Sequence, residues 1–289
     1  LIINGVINNA SDDVSSKMKQ VQDEILQQMP ENLSNVETFL LPLKSFNLTG
    51  IDKLRNFFGE ENLVNSIVEL SSIEANNIDY LIDDLYNSNK KVIFTMGKGG
   101  VGKTTVAAEI ARGLVQRGRK VHLTTTDPAN HLEFVAKEID GLTLSHIDEK
   151  LELEKYQNEV LVKARETMSE DDVAYIAEDL RSPCTEEIAV FRAFANIVDK
   201  AEKEVVVIDT APTGHTLLLL NSTQSYSKEI GRSSGEVPES VIKLLPRLRN
   251  AKETEVVIVT LPEATPVFEA QRLHDDLKRA DISSKWWII

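Results

Sequence analysis

The sequence predicts an α/β fold in which helices flank a mostly parallel sheet. From about residue 91 onward, short apolar runs alternate with helical stretches. The runs are rich in Val and Ile and scarcely alternate with polar residues, which is typical of strands buried on both faces of a parallel sheet. Intervening helical patterns complete a βαβ series. The predicted strands are Val92–Met96, Val121–Thr125, Val205–Ile208, Val256–Leu261 and Trp286–Ile289.

The segment before residue 91 has a different pattern. An apolar run at the start predicts a buried strand, and a helical pattern, a second strand and a short helix follow it. These elements are expected at Leu1–Ile7, Val14–Met29, Phe39–Leu43 and Ile51–Phe58. After them comes a polar, acidic and Asn-rich stretch that resembles a linker, although its residues 78–85 have the pattern of a docking helix.

This change of pattern predicts three parts. Residues 1–60 are interpreted as the end of one α/β unit, residues 61–90 as a linker, and residues 91–289 as most of a second unit. A mostly helical insertion is expected at about residues 150–203. Because the chain both opens and stops in an apolar run, we expect it to be a fragment of a longer protein.

Composition excludes several classes of function. The net charge of -14 argues against a nonspecific grip on nucleic acid or on an anionic membrane surface, which both require excess Lys and Arg. A single cysteine, Cys184, excludes an internal disulfide framework and fits a reducing compartment. No apolar run approaches the roughly 18–20 residues of a membrane span. We therefore expect a cytoplasmic protein.

One segment matches G-x-x-x-x-G-K-[ST], the phosphate-binding loop, directly after a predicted strand and before a predicted helix. It reads Gly97, Lys98, Gly99, Gly100, Val101, Gly102, Lys103, Thr104 and is followed by Thr105. Glycines let successive backbone N–H groups turn toward phosphate oxygens, and the helix adds its positive N-terminal end. Lys103 is predicted to reach the β and γ phosphates of ATP, and Thr104 to offer its hydroxyl to Mg²⁺.

Two aspartates follow predicted strands and are candidates for the same site. Asp127 comes after Val121–Thr125, and Asp209 ends the Val205–Ile208 run. Ligands of open α/β sheets bind at the carboxyl ends of the strands. Asp209 suits Mg²⁺ coordination, and Gly214 allows close approach to the γ phosphate. Asp127 alone would fit a turn before Pro128 equally well, but beside an intact loop a functional role is favoured.

The spelling of the loop resembles the deviant Walker A class of phosphate-binding loops, in which Lys98 would reach a nucleotide held by a facing module. Three segments together, Lys98–Thr105, Thr125–Ala129 and Asp209–Thr216, resemble the arsenical pump-driving ATPase family. The segment Arg181–Glu187 is an especially close match. The resemblance implies a P-loop NTPase fold and ATP hydrolysis coupled to arsenite or antimonite export. Some members of the family have two homologous halves in one chain. Residues 91–289 of this sequence resemble the second half, and residues 1 to about 59 resemble the tail of the first half.

The resemblance also implies roles for individual residues. Asp127 would position the attacking water, Asp209 would be the metal-associated acid, and Asn4 would lie near the nucleotide base. Cys184, Ser182 and His215 match positions used around the metalloid. Trivalent arsenic and antimony prefer thiolate ligands, with imidazole in support. Outside this context, a lone cysteine is usually a small buried apolar residue.

The implied partners are the missing first ATPase half in the same chain, an integral membrane efflux protein and an arsenic metallochaperone, with no nucleic acid. Peripheral association with the inner face of the plasma membrane follows from that assembly. One departure from the family pattern is that members with high metalloid sensitivity take further cysteines from the first half. We therefore expect this chain to bind metalloid weakly by itself.

Two rival functions share the fold. ATPases that target tail-anchored membrane proteins commonly carry a Cys-x-x-Cys zinc site and a Met-rich groove, whereas this chain has one Cys and four unclustered Met. Partition and septum-positioning ATPases share the deviant loop but usually end in a basic or amphipathic segment. The acidic balance of this chain disfavours that class, so metalloid export is the preferred interpretation.

Overall fold

The structure is a computed structural model that describes residues 1–44, 48, 50–58, 75–126, 139–210 and 238–289. Its chain divides into two compact units, Leu1–Leu70 and Ser71–Ile289. No helix within the described ranges is long and apolar enough to span a membrane.

The first unit contains two parallel strands and short helices. Its elements are β1 (Ile2–Val6), α1 (Asp13–Gln27), α2 (Glu31–Ser34), β2 (Phe39–Pro42), α3 (Ile51–Arg55) and a 3₁₀ turn at Asn56–Phe58. These confirm the predicted element types. The Asp12 carboxylate accepts hydrogen bonds from the backbone N–H groups of Val14 and Ser15, both at 2.9 Å, and so fixes the start of α1. The prediction that the first strand is buried is wrong, because Ile2 is 67% exposed and β1 pairs with β2 alone among the described strands.

The second unit is an α/β sandwich. Its strands are β3 (Val92–Met96), β4 (Val121–Thr125), β5 (Leu142–His146), β6 (Val205–Asp209), β7 (Thr254–Val259) and β8 (Trp286–Ile288). Its helices are α4 (Ile78–Asn87), α5 (Lys103–Gln116), α6 (Glu149–Thr167), α7 (Glu170–Asp179), α8 (Pro183–Asp199), α9 (Glu239–Arg249) and α10 (Ala264–Arg279). A 3₁₀ turn, Lys200–Glu202, follows α8.

The six strands form one parallel sheet in the order β5-β4-β6-β3-β7-β8. This confirms the predicted fold class, with every predicted strand present. β5 was not predicted, because its sequence Leu-Thr-Leu-Ser-His lacks an apolar run and lies partly exposed at the sheet edge. The order places β6 between β4 and β3, so the carboxyl ends of these three strands meet at one edge.

Alternate residues of the central strands pack into two cores, one on each face of the sheet. Val92, Phe94 and Met96 of β3 lie in the core that includes residues of α6, α8, α9 and α10. Ile93 lies in the other core, beside residues of α4 and α5. The residues of β3, β4, β6 and β7 are all buried, which explains the apolar runs in β3, β6 and β7.

Helix α4 lies within residues 61–90, the stretch interpreted from the sequence as a linker, and its apolar residues pack in the core beside α5. Asn77 caps its start by accepting from the backbone N–H of Tyr80 at 3.2 Å, and Leu85 is completely buried. Arg117, just after α5, donates to Asp83 of α4 at 2.8 Å. The helices α6, α7 and α8 lie where helical structure was expected at about residues 150–203. The assignment of these segments as linker and insertion stays a prediction.

Candidate functional site

The phosphate-binding loop connects β3 directly to α5, as its sequence pattern predicted. Gly97 packs so closely on β7 that a Cβ atom would lie 2.1 Å from the carbonyl oxygen of Val259. Gly100 and Gly102 have φ angles of 80° and 93°, in the region that favours glycine. Gly102 is the residue before α5, so its backbone conformation directs the chain into the helix. Glycine is therefore required at position 97 by the close contact with β7, and it is favoured at positions 100 and 102 by their positive φ angles.

The two lysines of the loop have different environments. Lys103, the first residue of α5, is 7% exposed and its Nζ donates to the carbonyl oxygen of Lys98 at 3.1 Å. Its ammonium group is thus folded back over the loop. Lys98 has an exposed side chain. Val101 is buried and Thr105 is exposed, so the loop presents a mainly polar surface anchored by one apolar side chain.

Asp209 and Thr104 are brought together across the loop. Asp209 is the last residue of β6 and is 1% exposed, and Thr104 lies in the first turn of α5. Thr104 Oγ1 donates to Asp209 Oδ2 at 2.6 Å. Two of the predicted nucleotide-site residues, 105 positions apart, are therefore in direct contact.

Two threonines with no predicted role also contact Asp209. Thr95 on β3 and Thr125 on β4 are the register partners of Asp209 on its two sides. Thr95 Oγ1 donates to Asp209 Oδ1 at 3.4 Å, and Thr125 Oγ1 donates to Oδ2 at 3.4 Å. The signal for them is a threonine at the last or next-to-last position of each strand that flanks β6, but the pairing of these threonines with Asp209 depends on strand order.

The backbone around Asp209 is tied to both neighbouring strands. The backbone N–H of Thr126 donates to the carbonyl oxygen of Asp209 at 3.0 Å. On the other side, the Thr210 hydroxyl donates to the carbonyl oxygen of Thr95 at 2.9 Å. The carboxylate therefore projects from a backbone held by hydrogen bonds to β3 and to the end of β4.

Three predicted site residues, Asp127, Gly214 and His215, lie outside the described residues. Ser182 is the residue before α8, and its hydroxyl lies 3.0 Å from that of Thr185. Cys184 is an exposed free thiol in the first turn of α8. Within the part of the chain that the structure describes, no three His, Cys, Asp or Glu side chains converge as a metal-binding group.

Asn4 belongs to the first unit. It is exposed on β1, opposite Leu41 of β2, immediately before an irregularity in the strand pairing. Gly5 has a φ angle of 79° at this point, which glycine adopts without strain. Asn4 is thus placed at a bend in its strand, and its predicted role near a nucleotide base stays a prediction.

The described residues fit a Mg²⁺-nucleotide. A hydroxyl and a carboxylate oxygen in contact are the hard oxygen donors that Mg²⁺ prefers, and a glycine loop at a helix N-terminus suits phosphate. A buried lysine in the same loop supplies positive charge. These groups can hold a polyphosphate and orient it, which is the protein's main task in phosphoryl transfer.

Comparison with known proteins agrees with this geometry. Residues 90–237 match the family model described as Anion-transporting ATPase. The chain is 42% identical to an arsenical pump-driving ATPase of Escherichia coli, over 100% of the chain and 51% of that protein. It is 41% identical to one of Acidiphilium multivorum, with the same coverage. A putative arsenical pump-driving ATPase 2 of Aquifex aeolicus is 32% identical over 69% of the chain and 79% of its own length. The chain thus spans about half the length of the first two relatives.

Proposed function

The chain belongs to the anion-transporting ATPase family, and from that premise we propose that it binds and hydrolyses Mg²⁺-ATP to drive the export of arsenite or antimonite. The observation that carries the proposal is the contact between Thr104 and Asp209 at the mouth of the phosphate-binding loop. Family membership supports ATPase activity. The names of the matched relatives support the metalloid cargo.

In this proposal, Thr104 and Asp209 hold Mg²⁺, Thr104 through its hydroxyl and Asp209 through its carboxylate. The metal neutralises charge on the β and γ phosphates. The backbone of Gly97–Gly102 cradles the phosphates, and the N-terminal end of α5 stabilises their negative charge. Each of these groups lies on a strand, on a helix or on the loop between them.

Lys103 acts on the phosphate charge. Its ammonium group donates to the carbonyl oxygen of Lys98, which is a neutral acceptor. A phosphate oxygen is a charged acceptor and forms a stronger hydrogen bond. We expect nucleotide to draw the ammonium group from that carbonyl toward the β and γ phosphates. Lys98 is exposed, which fits a role in which its side chain reaches a nucleotide held by a facing ATPase half.

Hydrolysis requires a water molecule in line with the γ phosphate. The water oxygen bonds to phosphorus as the β–γ bridging bond breaks, yielding ADP and phosphate. Asp127 is proposed to orient that water, and Gly214 is proposed to allow close approach to the γ phosphate. Both assignments rest on the sequence resemblance, since these residues lie outside the described ranges. Asn4 is proposed to act near the base.

The metalloid site is proposed at Cys184, with Ser182 and His215 in support. The exposed thiol of Cys184 is accessible to a trivalent metalloid, for which thiolate is the preferred ligand. His215 follows the segment that begins at Asp209, so a ligand there would couple metalloid to the γ phosphate. The proposed partners are an integral membrane efflux protein, a metallochaperone and a first ATPase half in the same chain. The proposed location is the cytoplasm, at the inner face of the plasma membrane.

The test has two arms. The first measures binding of Mg²⁺-ATP to this chain by calorimetry, with Lys103→Met expected to abolish it. The second measures ATP hydrolysis by a protein that contains this chain with a first ATPase half, with and without antimonite. Stimulation by antimonite that Cys184→Ser reduces supports the export function. Equal rates with and without antimonite would reject metalloid coupling, and binding of an apolar helical peptide would then test the targeting function.

A further inference from the structure

Asp209 occupies the centre of a row of side chains that crosses three strands. Thr125, Asp209 and Thr95 are register partners on β4, β6 and β3, and paired residues of neighbouring strands point to the same face. That face carries α5, because Ile93, Leu123 and Val207, each two residues earlier on these strands, pack in the core with α5. The row therefore faces the helix that supplies Thr104.

The two threonines contact opposite sides of one carboxylate. Thr95 donates to Oδ1 and Thr125 to Oδ2, each at 3.4 Å, whereas Thr104 donates to Oδ2 at 2.6 Å. Rotation of the carboxylate about its Cβ–Cγ bond would break these contacts together. Threonine is well suited to this task because branching at Cβ restricts its side-chain rotation. The two hydroxyls thus restrain the carboxylate from both flanking strands.

Burial makes this fixation consequential. Thr95 and Asp209 are 0% and 1% exposed, and Thr125 is 1% exposed. A carboxylate with so little access to water depends on protein donors for its hydrogen bonds. Charged acceptors also hold their donors more strongly than neutral ones do. A hydroxyl removed from either side would therefore leave the carboxylate less well oriented toward Thr104.

From this geometry we infer that Thr95 and Thr125 are positioning residues that orient the Asp209 carboxylate for the metal ion of the bound nucleotide. The inference rests on the proposed function, and it adds two residues that lie outside the phosphate loop motif. They act through Asp209, in the way that hydrogen-bonding partners of metal ligands orient those ligands elsewhere.

The experiment replaces each hydroxyl by a methyl group of the same shape. Thr95→Val and Thr125→Val are compared with Thr95→Ser and Thr125→Ser, which retain the hydroxyl. The full 289-residue chain is loaded with the non-hydrolysable analogue AMP-PNP, and Mn²⁺ binding is followed by electron paramagnetic resonance. We expect each valine variant to bind Mn²⁺ about tenfold more weakly than wild type, and each serine variant to recover most of that affinity.

Thr254→Val is the matched control. Thr254 is also completely buried in the same sheet, and its hydroxyl donates to the carbonyl oxygen of Arg247 at 2.8 Å. It lies at the start of β7, at the end of the sheet away from Asp209. Its loss should reduce thermal stability but leave Mn²⁺ affinity at the wild-type value. An equal loss of Mn²⁺ affinity in this control would overturn the inference.

The remaining outcomes separate the inference from the proposed function. If wild type binds AMP-PNP and Mn²⁺ but the valine variants bind Mn²⁺ with unchanged affinity, the positioning role is rejected and the nucleotide site stands. If wild type binds neither, the proposed function fails and the inference fails with it. Should a valine variant not fold, Thr→Ala at that position removes the hydroxyl without adding a methyl group, and the same affinities decide.

Discussion

Thr104 Oγ1 donates to Asp209 Oδ2 at 2.6 Å, which joins the N-terminal turn of one helix to the carboxyl end of a buried strand. The carboxylate comes from β6 and the hydroxyl from α5, which itself follows β3 through the phosphate loop. A pair of hard oxygen donors is thereby assembled from two elements whose positions the sheet determines. Under the proposed function, we expect this pair to make nucleotide binding depend on Mg²⁺.

Thr104→Val should weaken that dependence while leaving the fold intact. The valine methyl group occupies the space of the hydroxyl but cannot coordinate a cation, so Mg²⁺ should strengthen nucleotide binding about tenfold less than in wild type. Titration calorimetry with ADP, with and without Mg²⁺, measures the difference. Thr104→Ser should behave like wild type. A valine variant with an undiminished Mg²⁺ effect would exclude Thr104 from the metal site.

Gly97→Ala should both destabilise the protein and impair nucleotide binding. The new Cβ would lie 2.1 Å from the Val259 carbonyl oxygen, so β3 or β7 must shift. Overpacking of this kind costs about 1–3 kcal/mol in the free energy of unfolding, measurable by urea denaturation. Gly118→Ala is the control, because a Cβ there meets nothing within 4 Å and only the φ angle of 83° is unfavourable. It should leave nucleotide affinity unchanged; a wild-type affinity in Gly97→Ala would contradict the prediction.

His122 should make stability depend on pH. Its ring is 2% exposed, and Nε2 lies 2.8 Å from Ser145 Oγ. Burial is the main cause that lowers the pKa of His122 from its usual value near 6.5; the nearby charge of Lys200 lowers it further, and Glu204 opposes both. The native state thus binds this proton less readily than the unfolded chain does. The stabilisation is complete above the unfolded pKa and is lost as the pH falls below it.

The measurement is the free energy of unfolding in urea at about pH 7.5 and pH 5.5. His122→Gln retains a polar group for Ser145 but cannot gain this proton, so its stability should fall less than that of wild type on acidification. An equal fall in both proteins would assign the acid sensitivity to other groups.

The buried pair Lys90–Glu255 should tolerate joint replacement better than single replacement. Lys90 Nζ lies 3.1 Å from Glu255 Oε2, and their side chains are 8% and 1% exposed. Lys90→Met strands a carboxylate away from water, at a cost of about 3–5 kcal/mol in the free energy of unfolding. Adding Glu255→Gln removes the stranded charge and should restore part of the loss. Chemical denaturation of both variants tests this, and a double variant no more stable than Lys90→Met would refute it.

The sequence predicted the central strands because burial on both faces demands uninterrupted apolar residues, as in Val205–Ile208. It predicted the phosphate loop because the loop requires glycines: Gly97 has no room for a Cβ atom, and Gly100 and Gly102 have positive φ angles. It missed β5, whose edge position permits polar residues. It also missed Thr95 and Thr125, because their relation to Asp209 arises from strand order and register, which local patterns do not encode.

The position of β6 between β3 and β4 has a consequence for folding during synthesis. Among the strands of the six-stranded sheet, β3 and β4 are synthesised first, yet they do not pair with each other. β4 can pair with β5 soon after synthesis, but the strand that joins β4 to β3 begins only at Val205. Pairings between such distant segments close long loops and form late. A nascent chain therefore carries its complete glycine loop long before it carries Asp209, so the contact between Thr104 and Asp209 forms only after Val205–Asp209 has been synthesised.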